Sequence, residues 1–211
     1  MAWEKTALDL AEAAGITVPR RQLIGVEGQP VLLLDRFDRD HSQRVGYLSA
    51  MSLLEARDGQ NRDYTELAET LPEYGSATAG DLRQLWRRIA FSVAVHNTDD
   101  HLRNHGFLHD KGGWRLAPAF DVNPNPDLAA RRVTSVGGAV GVADSIQALL
   151  LYAENFGLTD AQARDVMREV GAAAGDWEAV ARRNGVADAE ISRFRPTLRR
   201  TVAAVLEVSD I

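Results

Sequence analysis

The stretch His96-Asn97-Thr98-Asp99-Asp100-His101-Leu102-Arg103-Asn104-His105-Gly106-Phe107 decides how the rest of the chain is read. It is the densest group of polar, chemistry-bearing side chains in the sequence. Just before it, Leu82, Leu85, Trp86, Ile89 and Val93 recur at helical spacing and predict a buried helical stripe, with Asp81 as the N-cap. An apolar helix that delivers Asp, Asp, His and Asn into a loop is unusual for a solvated surface. The plainer reading is an Asx-rich helix end whose side chains only cap free backbone groups.

Downstream, Gly106–His109 and Trp114–Pro118 read as short strands joined by Asp110-Lys111-Gly112-Gly113, a tight-hairpin composition. Asp121-Val122-Asn123-Pro124-Asn125-Pro126 is a loop of turn formers. Upstream, Trp3, Ala7, Leu10, Ala11 and Ala14 predict a helix over 3–14, stopped at Gly15. Leu23–Val26 and Val31–Arg36 predict strands around the turn Glu27-Gly28-Gln29-Pro30. Residues 38–46 and Asp58–Asp63 read as polar loops, with helix resuming near Ser49. Beyond residue 142 the pattern is helical throughout. Thr159 with Gln162 forms a capping-box signature, and Pro196 predicts a break in the last helical region.

Composition narrows the classes. A chain of 211 residues, 45% hydrophobic and 26% charged, fits one domain with its own core. With no cysteine, thiol nucleophiles, zinc ribbons and iron–sulfur sites are excluded. A net charge of −6 argues against direct nucleic-acid binding, and the arginines at 182, 183, 193, 195, 199 and 200 are interleaved with acids, as on a solvated face. No secretory signal or membrane-length apolar run is seen, so the expectation is a cytoplasmic protein without membrane contact.

The spacing inside the central stretch carries more. Asp99 and Asn104 are five residues apart, as in the kinase catalytic loop H-R-D-x-x-x-x-N, where the Asp takes the proton of the substrate hydroxyl and the Asn holds magnesium. A second acidic ligand is then expected after a short hairpin, and Asp121 stands there. One carboxylate and one amide oxygen, completed by phosphate oxygens, suffice for magnesium.

At these residues the sequence resembles the HipA-like serine/threonine kinases, the toxin kinases of bacterial toxin–antitoxin modules. The similar pieces are Asn97 to Phe107, Leu116-Ala117-Pro118-Ala119-Phe120-Asp121-Val122, Ala13 to Pro19, Asp35-Arg36-Phe37-Asp38-Arg39 and Ser135-Val136-Gly137-Gly138, in order across about residues 4–140. The resemblance implies an α+β, mainly α fold: a protein-kinase-like C-lobe with small β hairpins. Residues 1–40 would supply an inter-lobe helix and hinge strands. Residues 41–211 would form the helical lobe, with a catalytic loop at 97–104 and a metal loop at 121–126. It implies Asp99 as catalytic base, His101 as support of that loop, and Asn104 and Asp121 as magnesium ligands. Asp35, Arg36 and Phe37 would lie at the ATP hinge, although pairing of Arg36 with nearby acids is the plainer expectation. ATP and Mg2+ are the implied cofactors and a Ser/Thr-bearing protein the implied substrate. An antitoxin or a separate N-lobe polypeptide is the implied partner, with DNA reached only through the antitoxin.

The departures are equally informative. There is no G-x-G-x-x-G and no G-x-x-x-x-G-K-[ST]. Only Lys5 and Lys111 are lysines, one on a predicted helix and one in a hairpin turn. By resemblance, Glu4 takes the place of the helix Glu that would face the N-lobe lysine. The chain reads as the hinge-proximal part plus C-lobe of such a kinase, a core incomplete by itself. Two other classes stay open: a non-catalytic interaction module of a toxin–antitoxin complex, and a metal-dependent hydrolase built on His96, His101, His105 and His109 beside Asp99 and Asp100.

Overall fold

The computed structural model describes residues 1–40, 43–57 and 59–209, so part of each expected loop at 38–46 and 58–63 lies outside the described residues. The fold is α+β and mainly helical, as the periodicity predicts.

Helix α1 (Ala2–Ala13) buries Ala7, Leu8, Leu10 and Ala11. Trp3 stacks on Phe194 at 4.0 Å and on Trp177 at 6.2 Å, which pins this N-terminal helix to the C-terminal end of the chain. Strands β1 (Arg21–Val26) and β2 (Gln29–Leu34) form an antiparallel hairpin with Val26 opposite Gln29. Its turn is only Glu27-Gly28, shorter than expected, with φ of 49° and 79°. Positive φ at both turn positions matches the right-handed twist of the strands, which frees Gln29 and Pro30 to join β2. Pro30 is tolerated because a two-stranded sheet has only edges.

Residues 38–46 are not wholly loop: β3 (Arg39–Asp40) and β4 (Gln43–Arg44) pair antiparallel. Such short polar strands leave no apolar alternation to read. The strand β5 (Tyr47–Ser49) leads into α2 (Ala50–Leu53), where Ser49 Oγ accepts from Ser52 N at 3.2 Å. Arg62–Asp63 is β6 rather than loop, and it opens α3 (Tyr64–Tyr74) through an Asp63/Glu66 capping box.

Helix α4 (Thr78–Ala94) starts three residues before the expected cap. Asp81 therefore lies inside its first turn, and its carboxylate accepts instead from Leu116 N at 3.1 Å. The predicted stripe is buried, and Trp86, fully enclosed, donates Nε1–H to Leu149 O at 3.0 Å. Strands β7 (Gly106–Asp110) and β8 (Gly113–Leu116) form the predicted hairpin around Lys111 and Gly112, and β5 extends it to three strands in the order β5-β7-β8. The short β9 (Thr134–Ser135) runs parallel to β6.

The remainder is α5 (Val142–Leu151), a 3-10 turn at Ala153–Phe156, α6 (Asp160–Gly175), α7 (Trp177–Arg183) and α8 (Asp188–Ser209). The Thr159/Gln162 capping box opens α6 as expected. Pro196 does not break α8, a correction to the sequence reading. Buried Ile191 and Phe194 before it, and Leu198, Val202 and Val205 after it, keep the helix continuous despite the lost backbone hydrogen bond. Among the described residues no helix is long and apolar enough to cross a membrane.

Candidate active site

Helix α4 ends beneath the 97–104 loop. Asn97 N donates to Ser92 O at 2.8 Å and His96 N to Val93 O at 3.1 Å, with His96 in the left-handed region at φ 52°. The left-handed turn after a helix usually falls to glycine. Here the His96 side chain and backbone hold it: its ring Nε2 meets Asp127 O at 2.9 Å and its carbonyl accepts from Asn125 N at 3.0 Å. Asn125 Nδ2 also donates to Thr98 Oγ1 at 2.8 Å. The loops at 97–104 and 121–127 are thereby zipped together.

Within the first loop the side chains sort by environment. Asn97, Thr98, Asp100 and Asn104 are buried, His101 is half-buried and Asp99 is exposed. Asp99 Oδ atoms have no hydrogen-bond partner among the described residues, so this carboxylate is available to a substrate. A cavity of about 230 Å3 opens beside it, lined in part by Met51, Arg57, Arg62, His101, Leu102 and Val133. Among the described residues the His101 side chain makes no supporting hydrogen bond, and its buried Nδ1 has no partner. Its backbone does the supporting: His101 N donates to Asp99 O at 3.1 Å and His101 O accepts from Asn104 N at 2.8 Å.

Asn104 closes the 3-10 turn Leu102–Asn104. Its Nδ2 lies 3.3 Å from Asp99 O and 3.5 Å from Asp121 O, so one amide bridges both loops and its Oδ1 is left to accept or coordinate. Asp121 is exposed and sits at φ 54°, a strained backbone for a non-glycine residue. Asn123 Nδ2 donates to its Oδ1 at 2.9 Å, which orients the carboxylate. These hard oxygen donors fit magnesium. Burial first, then the negative charge of Asp121, raises the Glu4 pKa.

The hinge residues divide. Phe37 packs 5.6 Å from the Phe120 ring, next to Asp121, and 6.4 Å from Tyr47. Arg36 instead forms a bidentate pair with Asp38 at 2.7 and 2.9 Å, the plainer of its two expected roles, and that pairing lowers the Asp38 pKa to about 2. Asp35 is exposed, and its backbone N donates to Arg20 O at 2.9 Å. No hydrogen bond connects Asp35 or Arg36 with Asp99, Asn104 or Asp121.

Two groups escaped sequence reasoning. Under the 97–104 loop, Asp100 Oδ1 accepts from His105 Nε2 at 3.0 Å, and Arg132 Nη2 approaches Oδ2 at 3.4 Å. Tyr64 Oη donates to Asp100 O at 3.2 Å. Burial alone would raise the Asp100 pKa, yet His105 and Arg132 hold it well below the usual carboxylate range. Further out, Asp63 accepts from Ser135 Oγ at 2.5 Å, Gly137 N at 3.0 Å and Gly138 N at 2.8 Å. The capping box at Asp63/Glu66 was a readable signal for α3, but nothing local announces the clamp on 135–138.

The histidines do not converge. His96 meets a carbonyl, His105 meets Asp100, and His109 packs edge-on to Trp114 at 5.4 Å. Among the described residues no group of three or more His, Asp or Glu side chains is placed to hold a metal by itself. Lys5 is engaged by Asp9 at 2.8 Å and Asn184 at 3.0 Å, and Lys111 sits in the hairpin turn, so neither faces the loops. The C-terminal arginines behave as a solvated face: Arg182, Arg195 and Arg199 all pair with Glu178.

Known proteins share this fold. Two solved structures share the fold: HipA from Shewanella oneidensis, determined with HipB and operator DNA, and the proinflammatory kinase CtkA of Helicobacter pylori. The first has a TM-score of 0.75 at 15% identity, covering 99% of this chain and 57% of that one. The second has a TM-score of 0.71 at 11% identity, covering 98% and 82%. In sequence, an inferred kinase of Haemophilus influenzae is 26% identical over 144 residues, 59% of this chain and 42% of that protein. The inferred kinase Y4mE of Sinorhizobium fredii is 25% identical over 158 residues, 67% of this chain and 37% of that one. The chain thus spans about two fifths of the curated relatives it matches. The model of the HipA-like C-terminal domain matches residues 1–177, and the chain belongs to that kinase-related family.

Proposed function

We propose that this chain is the catalytic lobe of a protein serine/threonine kinase that uses ATP and magnesium, completed by a nucleotide-clamping N-lobe. One observation carries the reading: the unpartnered Asp99 carboxylate lies at a cavity, on a loop joined to the strained Asp121 loop by the Asn104 amide. Asp99 orients the substrate hydroxyl and takes its proton. Asn104 Oδ1 and the Asp121 carboxylate would hold magnesium, which when bound neutralises phosphate charge. Asn104 Nδ2 keeps the two loops in register, and Phe37 against Phe120 supports the metal loop from the hinge side.

The charge that a Gly-rich loop and lysine supply in kinases must come from outside these residues, because both lysines are elsewhere. That favours, as a second reading, a module that acts by contact with an antitoxin. HipA of S. oneidensis is seen with HipB and DNA, and any DNA contact here would be indirect. The test is transfer of the ATP γ-phosphoryl group by this chain in the kinase completed by its N-lobe. Loss of transfer in Asp99→Asn supports the kinase, and equal transfer overturns it.

A further inference from the structure

Arg132 lies between the metal loop and β9, and its side chain is 5% exposed. Its guanidinium reaches three parts of the molecule. Both Nη atoms lie 3.2 Å from Ser92 Oγ on α4, and Nη2 lies 3.4 Å from Tyr64 Oη on α3. In the catalytic loop Nη1 lies 3.4 Å from Asn97 O and Nη2 3.4 Å from Asp100 Oδ2. Asn97 and Asp100 bracket Thr98-Asp99. The backbone adds a further tie, because Val133 N donates to Thr98 O at 3.0 Å, while Arg132 N is held by Val140 O at 3.1 Å. His105 occupies the other oxygen of Asp100. None of these groups touches Asp99 itself, and nothing in the kinase reading has yet used Arg132.

We propose that Arg132 is the positioning residue for Asp99: by gripping Asn97 and Asp100 on either side, it couples the segment after the metal loop to the catalytic loop. The part concerning phosphotransfer rests on the kinase reading; the part concerning the loop does not. A planar guanidinium can satisfy several acceptors at fixed angles, whereas an ammonium can meet fewer of them. Arg132→Met should therefore release the loop, and Arg132→Lys should release it less.

Two readouts separate the possibilities. In this chain, amide hydrogen exchange at residues 98–104 should rise tenfold or more in Arg132→Met and less in Arg132→Lys, with α6 and α8 unchanged. In the kinase completed by its N-lobe, Arg132→Met should lower kcat tenfold or more while KM for ATP stays within twofold. If the methionine variant does not fold, the lysine variant carries the test through the same amides. Unchanged exchange at 98–104, or an equal rise across every helix, would overturn the proposal. If Asp99→Asn leaves phosphotransfer unchanged while Arg132→Met still loosens 98–104, the kinase reading falls and the positioning of the loop stands.

Discussion

Asp99 and Asp100 are neighbours in sequence and opposite in environment: the Asp99 carboxylate is exposed without a hydrogen-bond partner among the described residues, while Asp100 is 5% exposed and held by His105, Arg132 and Tyr64. Their substitutions should therefore fail in different ways. Asp99→Asn should leave stability within about 0.5 kcal/mol and lower phosphotransfer by roughly 10²–10⁴. Asp100→Asn should cost about 3 kcal/mol, because it removes the carboxylate that neutralises a buried guanidinium. Urea denaturation of both variants, beside transfer rates in the kinase completed by its N-lobe, checks the split.

The same pair sets an acid limb. The Asp100 pKa is depressed in the folded chain, so its contribution to stability is present above the unfolded carboxylate value of about 3.9 and is lost as pH falls below it. Melting temperature should fall more steeply below about pH 4 in the wild type than in Asp100→Asn. Parallel slopes in the two proteins would contradict the assignment.

Glu4 works in the other direction. Its pKa is raised by burial and by Asp121, so ionised Glu4 destabilises the fold above its folded pKa, and the penalty fades as pH falls through that value. Glu4→Gln should raise the melting temperature near neutral pH, with the gain shrinking as the solution is acidified through the carboxylate range. Asp121→Asn should produce part of the same gain.

Gly137 tests the Asp63 clamp. It sits at φ 55°, and a Cβ there would fall 2.0 Å from the Tyr152 ring. Gly137→Ala should destabilise by about 2 kcal/mol or more through overpacking and left-handed strain. Asp63→Ala should loosen the same 135–138 segment, read as faster amide exchange there.

The central loop was legible because its chemistry is local. Asp99 and Asn104 stand at a fixed spacing, and the helix, hairpin and Asp121 follow in order within a short span. The Lys111-Gly112 hairpin and the Thr159 capping box were equally readable from adjacent residues. What escaped depends on distant partners. Asp81 looked like a cap because an Asp before an apolar run often is one, but Leu116 N claims its carboxylate. Pro196 looked like a break, but burial on both sides of it outweighs one lost hydrogen bond. The Asp100–Arg132 and Asp63–Ser135 contacts join residues 32 and 72 apart, a separation that no local pattern encodes.

The most direct measurement is calorimetric titration of this chain with ATP, with and without magnesium, beside Asp121→Asn and Asn104→Ala. Binding that requires magnesium in the wild type, is lost in both variants and survives in Asp99→Asn is the expected result. Equal heats in wild type and Asp121→Asn, whether magnesium is present or not, would contradict a metal–phosphate site at these two loops.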